Sequence, residues 1–326
     1  FSKKIMKSIQ ELSALITDEL GRVEYPKTPS LLYEPIDYIL ALGGKRMRPI
    51  LVLMAHQLFD KNIEKAISPA LAIEVFHNFT LLHDDIMDKA PLRRGQKTVH
   101  EKWNTNVAIL SGDTMLVQAY QLMTDVEQNI VKQVLKVFSK GAIEVCEGQQ
   151  WDMDFESQKE VSISDYLKMI EYKTAVLLGA ALQIGGITAG ASANEQNHLY
   201  SFGKNMGIAF QLKDDLLDAF GAPETFGKQV GGDIMANKKT YLYLKALALA
   251  DGTQRRNLEQ YFSTKDTSES KVEAVKSIFI TLDIHQLTSD LMKEYHSKAM
   301  NHLDAIESDN KEPLLAFSAL LLDRVS

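Results

Sequence analysis

Apolar residues recur three and four apart along nearly the whole chain, the spacing of helices that bury one face. Ile5, Ile9, Leu12 and Ile16 predict a first amphipathic helix. Ser30 is placed to cap a second helix that runs to Leu42, where Gly43-Gly44 ends it. Pro49 fits the first turn of a third, which reaches about Phe59. Leu71, Val75, Phe76, Phe79, Leu82 and Ile86 mark a helix from near Pro69 to the break at Ala90-Pro91. Further helices are predicted over residues 107–124, 131–151, 195–220, 240–250, 272–280, 285–306 and 313–322, with 166–187 as one or two more. No alternating strand, short repeat or dinucleotide-type glycine fingerprint interrupts them, and residues 263–270 read as a polar loop. The expected fold is all-α: one domain over residues 1–326, ten to thirteen helices around a deep central cavity.

Two of these helices end in carboxylates. Asp84, Asp85 and Asp88 close the first, and Asp214, Asp215 and Asp218 close the other, each at i, i+1 and i+4. Like charges four apart share a helix face and repel. A single cluster reads equally well as a solvated face, with a chance probability of roughly 7 % in this length, whereas two by chance fall well under about 1 %. Two copies on apolar helices predict facing carboxylate walls. Oxygen ligands without nearby cysteine suit Mg2+, which binds through one or two carboxylates together with substrate phosphates.

Composition narrows the partners. The net charge is −7, which argues against nucleic acid. A lone cysteine, Cys146, excludes an internal disulfide and fits a reducing cytoplasm. The N-terminal Phe1-Ser2-Lys3-Lys4 lacks an initiator Met and leads into no signal-peptide core. The longest apolar stretch, residues 175–191, is broken by Gln183 and glycines, so no membrane span is expected.

Cations answer the carboxylates. Gly43-Gly44-Lys45-Arg46-Met47-Arg48-Pro49 places three between two helices, where glycines let the chain close round an anion. Arg93-Arg94-Gly95 follows the first cluster, either pairing with it or gripping a diphosphate through the planar guanidinium fork. Lys173-Thr174 opens an apolar run and calls for an anion unless the lysine snorkels out. His77 lies two turns before Asp84 on the same face. Gln149, Asp152 and Asp154 either line a cavity or cap a helix end. Residues 227–240 are glycine-rich and basic, lid-like and without P-loop spacing.

Taken jointly, these stretches resemble the trans-isoprenyl diphosphate synthases, or polyprenyl synthetases. The matching residues are Gly43 to Pro49, both Asp-Asp-x-x-Asp motifs, Arg93-Arg94-Gly95, Gly148-Gln149-x-x-Asp152, Lys173-Thr174, Phe210-Gln211, and Gly227-Lys228 with Asp233 and Lys238. They run in family order from about residue 30 to 240. The tail departs from the pattern: only Arg324 answers the basic cluster with which members often end.

The resemblance implies a cytoplasmic homodimer that condenses isopentenyl diphosphate with an allylic diphosphate (dimethylallyl, geranyl or farnesyl). It implies Mg2+, three ions per active site, on Asp84, Asp88 and Asp214, with Asp85, Asp215 and Asp218 supporting directly or through water. Arg93, Lys173, Lys228 and Lys238, with Gln149 and Asp152, would serve the allylic diphosphate. Thr174, Gln211 and the Lys173 carbonyl would stabilise the allylic cation, and Lys45, Arg48, His77 and Arg94 would hold isopentenyl diphosphate without metal. Phe79, with Phe76 beneath it and small Thr80 beside it, would set product length. An aromatic five residues before an uninterrupted motif, with none at four, resembles archaeal-type C20 synthases. Geranylgeranyl diphosphate is thus favoured over the C15 farnesyl product. A class I terpene cyclase and a non-catalytic partner subunit are remote rivals. The first ordinarily carries an Asn/Ser/Glu second motif, and the second would tolerate loss of an Asp cluster.

Overall fold

A computed structural model describes residues 7–221 and 230–322. The expectations placed on Ile5, Lys228 and Arg324 lie outside the described residues. The helices are α1 Ile9–Gly21, α2 Ser30–Ala41, α3 Met47–Gln57, α4 Glu64–Met87, α5 Val99–Lys102, α6 Thr105–Thr124, α7 Val131–Ser157, α8 Ile163–Ile170, α9 Val176–Thr188 and α10 Ala193–Phe220. A five-residue π-helical turn, Glu171–Ala175, joins α8 to α9. Gly232–Met235, Tyr241–Leu249, Gly252–Ser263, Glu269–Thr281, Ile284–Asp304 and Glu312–Leu322 complete the chain. The all-α expectation holds, with more helices than the ten to thirteen expected.

The differences are local and physical. Ser30 is the first residue of α2; the cap is Pro29, which makes no side-chain bond. The α4 helix starts at Glu64 and carries Pro69 inside it. The helix Gly252–Ser263 was not expected, because it buries only Leu258 and has no apolar stripe. Its signal was the cap: Asp251 accepts from the Thr253 and Gln254 amides, and Gln254 reaches back. Two short antiparallel strands also appear, β1 Leu92–Arg93 and β2 Gln96–Lys97. Arg94 (φ 53°) and Gly95 (φ 75°) form their turn, both left-handed as a tight hairpin requires.

Contacts divide the chain into two compact units. The first holds the described residues up to Ser139, with Ala180–Leu199 and Glu307–Leu314. Here α4 buries residues all round from Ala66 to Phe79, which makes it the central helix of its unit. A Cβ at Gly112 would stand 2.3 Å from His83 Nε2, and one at Gly185 would stand 2.1 Å from the Val52 carbonyl. Glycine is therefore what lets α6 approach α4, and α9 approach α3, so closely.

The second unit holds Lys140–Gly179, the described part of Tyr200–Ile306, and the chain from Leu315. Its core joins Leu212 and Leu216 of α10 to Leu242, Val275 and Phe279. The π turn is seated between two glycines. A Cβ on Gly148 of α7 would lie 2.2 Å from the Lys173 amide nitrogen, and one on Gly207 of α10 would lie 2.5 Å from Ala175 Cα. A π turn holds an extra residue per turn, and here bare backbone makes room for it.

Gly148→Ala should cost about 1–3 kcal/mol, since its methyl meets backbone that cannot swing aside. A urea unfolding midpoint unchanged from the parent would show that the packing yields there.

Candidate active site

In the first unit the Asp84 helix ends beside the hairpin. Asp84 is half-buried, Asp85 is 3 % exposed, and Asp88 is the exposed C-cap. Arg93, on β1, donates through Nε and Nη2 to both Asp85 oxygens at 2.7–3.0 Å. Its Nη2 also lies 3.8 Å from Asp84 Oδ2. Of the two readings of Arg93, pairing with the aspartates is the one this geometry displays.

The glycine-rich loop sorts its cations by backbone conformation. Arg46 sits left-handed at the N-cap of α3 and turns inward, donating to Glu74 and to the Leu40 carbonyl. Arg48, two residues on, donates from Nη1 to His77 Nε2 at 3.1 Å, while its Nε is buried without an acceptor. Arg94 donates to the Gly43 carbonyl, and its guanidinium lies 2.6–2.9 Å from where a Cβ of Gly44 would stand. Gly44 (φ 131°) thus permits both the turn and the arginine. Lys45 is exposed on the same loop.

Burial, then the charges of Arg48, Arg94, Arg93 and Arg46, hold the His77 pKa well below the ordinary histidine value. The imidazole is neutral, and its Nε2 accepts from Arg48. Burial also pulls Arg48 down to about 10 and lowers Arg94. His77 therefore serves as the acceptor for Arg48, a partnership that its place on the α4 face did not reveal.

Phe79 and Phe76 are buried on α4. Phe79 meets His83 edge-on at 4.7 Å and Phe76 at 5.6 Å, and Phe76 meets Phe138 at 5.2 Å. Thr80 is half-buried and donates to the His77 carbonyl at 2.7 Å.

The second unit contains a cavity of about 570 Å³. The π turn gives it Lys173 and Thr174; α7 adds Asp152, α8 adds Tyr166, and α10 adds Gln211 and Asp215. Lys173 Nζ meets Asp152 Oδ2 at 2.5 Å, so the lysine in the apolar run has a carboxylate partner. Since α7 continues to Ser157, Asp152 lines the cavity and caps nothing. Gln149 is not among the lining residues, and its Nε2 is buried without a partner.

A chain of hydrogen bonds crosses the cavity. Thr174 donates to Gln211 Oε1 at 3.3 Å, Gln211 Nε2 donates to Asp215 Oδ1 at 3.2 Å, and the Tyr166 hydroxyl donates to Asp215 Oδ2. Tyr166 was missed in the sequence, where an aromatic on an apolar helix looks like core. Asp215 is 4 % exposed, and burial, then the charge of Asp233, pushes its pKa up to about 8.

Elsewhere in this motif Asp218 Oδ2 accepts from the Asp233 amide at 3.0 Å, and Lys238 Nζ lies 3.9 Å from Asp233 Oδ1. Asp214 is half-buried, and its neighbour Lys213, fully buried, donates to the Leu321 carbonyl at 2.7 Å. Lys213 thus braces the last helix against the motif.

Among the described residues, no group of three or more His, Cys, Asp or Glu side chains forms a ready metal cage. Mg2+ ordinarily takes few protein ligands and shares the rest with phosphates and water. The donor chemistry fits it, since crowded carboxylates at Asp214, Asp215 and Asp233 repel until a cation joins them.

The chain matches the polyprenyl synthetase family over residues 29–279. It is 43 % identical to the geranylgeranyl diphosphate synthase of Methanosarcina mazei over 232 residues, 70 % of each chain. A crystal structure of a geranylgeranyl pyrophosphate synthase superposes with a TM-score of 0.94 at 46 % identity, covering 98 % of this chain and 100 % of that one. The polyprenyl synthase of Caulobacter crescentus, solved with calcium and isoprenyl diphosphate, gives a TM-score of 0.83 at 29 % identity and covers 98 % of this chain and 95 % of that one. The chain belongs to the polyprenyl synthetase family and is a short-chain trans-isoprenyl diphosphate synthase, a prenyltransferase.

The raised Asp215 pKa has a consequence for metal-free protein. Between the ordinary value of 3.8 and about 8 the folded state binds more protons than the unfolded one, so stability falls as pH rises through that window. In chelator, Tm should decline from pH 6 to pH 8, and Asp215→Asn should flatten the decline. Identical pH slopes in parent and variant would show that Asp215 does not titrate there.

Proposed function

We propose that this single-domain enzyme joins isopentenyl diphosphate head-to-tail to allylic diphosphates and releases geranylgeranyl diphosphate, C20. One contrast supports the reading: one region gathers arginines around a neutral histidine, and two others gather carboxylates. Arg48 and Arg94 surround a neutral His77, and Glu74 beside them is taken by Arg46. Such a site suits a diphosphate bound without metal, here isopentenyl diphosphate, with Lys45 on the loop above. The Asp motifs suit a diphosphate bound through cations. The names of the relatives at 43 % and 46 % identity support the C20 product, and the calcium and isoprenyl diphosphate in the Caulobacter protein support the ligand classes.

Mg2+, three ions in this reading, would be held by Asp84, Asp88 and Asp214 with Asp85, Asp215 and Asp218 in support, and when bound would neutralise charge developing on the leaving diphosphate. Lys173 and Lys238 add direct contacts to that group. Arg93 acts from its place on Asp85, and Lys228 belongs to the same set by resemblance. As the carbon–oxygen bond breaks, oxygen dipoles must face the allylic cation. Thr174 and Gln211 Oε1 supply them with the Lys173 carbonyl, and Asp215 fixes the Gln211 amide by holding its nitrogen. The double bond of isopentenyl diphosphate attacks the cation, and the departing diphosphate takes the proton.

Phe79, buried against Phe76, closes the product path in this reading. A homodimer fits exposed Leu110 and Val117 on α6, each 60 % accessible. Among the described residues no helix is long and apolar enough to cross a membrane, and we place the enzyme in the cytoplasm.

Diphosphate release should require both substrates; release from the allylic diphosphate alone would favour a cyclase, and none at all a partner subunit. Asp84→Ala and Asp214→Ala should each lose most turnover at saturating Mg2+. Arg94→Ala should raise KM for isopentenyl diphosphate roughly tenfold or more, with less change for the allylic substrate. Mass spectrometry of dephosphorylated products should show C20 from the parent, longer chains from Phe79→Ala and shorter ones from Thr80→Phe. A parent product of C30 or beyond, or no shift in Phe79→Ala, would remove the chain-length assignment.

A further inference from the structure

The helix Glu269–Thr281 begins against the usual chemistry. Ser268 caps it, accepting from the Lys271 N–H at 3.3 Å. Four other starts pair a Ser or Asp cap with an acidic or amide side chain three residues on, and that side chain accepts from the cap N–H: Ser8 with Glu11, Ser162 with Asp165, Ser192 with Glu195, and Asp251 with Gln254. At 271 the same position holds a lysine. A cation in the first turn faces the positive end of the helix dipole, and this one is 1 % exposed. Burying an ammonium there is costly unless hydrogen bonds answer it.

They do, and they lead to the cavity. Lys271 Nζ donates to Asn237 Oδ1 at 2.5 Å and to the Asp266 carbonyl at 3.0 Å. Asn237 is left-handed (φ 57°), and its Nδ2 donates to the Thr264 carbonyl at 2.7 Å. Its amide is thus held on both sides. Two residues on, Lys239 Nζ donates to the Phe155 and Gln158 carbonyls at 2.5 and 2.7 Å, at the C-terminus of α7, where a cation is favourable. Lys238 stands between these braces and lines the cavity with Asn237 and Lys239.

We propose that Lys271 and Asn237 are positioning residues: the buried ammonium fixes the Asn237 amide, and with it the backbone that presents Lys238 to the diphosphate in the cavity. The inference rests on the reading of Lys238 as a contact of the allylic diphosphate. A flexible lysine on a braced backbone loses less freedom when it binds, so the brace shows in affinity.

Steady-state kinetics of Lys271→Met, Asn237→Gly, Lys238→Ala and the Lys238→Ala/Lys271→Met double variant test it. Asn237→Gly tolerates the left-handed backbone while removing the side chain that carries the brace, so it reads the brace even where Lys271→Met folds poorly. Lys271→Met and Asn237→Gly should each raise KM for the allylic diphosphate about tenfold, with KM for isopentenyl diphosphate and kcat unchanged. The double variant should be no worse than Lys238→Ala. A lowered Tm with unchanged KM in both single variants, or full additivity in the double, overturns the pair while leaving the reading of Lys238 intact. An unchanged KM in Lys238→Ala overturns both.

Discussion

The second unit depends on one steric constraint: a wide helical turn pressed onto bare backbone. The π turn Glu171–Ala175 fits only because Gly148 and Gly207 carry no side chain where its amide nitrogen and Cα lie. That seat aims Lys173 at Asp152 and Thr174 at Gln211, and Gln211 in turn reaches Asp215 and, through it, Tyr166. Remove the seat and these side chains lose their common reference. A glycine in a helix interior normally weakens it; here the cost is exchanged for close approach.

Charge placement follows a second rule, that buried ions need partners. Arg46 and Arg48 are two residues apart, yet a left-handed residue at the start of α3 sends the first to Glu74 and leaves the second to His77. Lys238 and Lys239 are adjacent, yet Lys239 is spent on the end of α7. In each pair, one cation is committed to framework carbonyls or a buried carboxylate, and its neighbour is placed differently. The neutral His77 belongs to the same logic: among four arginines an imidazolium would be repelled, and the neutral ring accepts where a cation could not.

The helices and their order were legible because an apolar stripe is a local property of the chain. The two Asp clusters were legible for the same reason, since i, i+1 and i+4 spacing fixes a shared end of a helix. What escaped had no apolar stripe or needed a distant partner. The helix Gly252–Ser263 buries one leucine and announced itself only by its cap. The hairpin at Arg94-Gly95 is too short for alternation to show. The π turn has no periodic signature within five residues.

The sequence by itself determined the all-α class, the two carboxylate clusters, the supply of cations near them and the family. Only the tertiary structure decided which cation does what. Burial and hydrogen-bond partners assign Arg46 and Lys239 to the framework, bring His77 to Arg48, make Tyr166 a partner of Asp215 and tie Lys271 to Asn237. The reason is physical: composition and spacing fix which charges a helix carries, but whether a charge is held by its own chain or left for a ligand depends on groups brought together from far along the sequence.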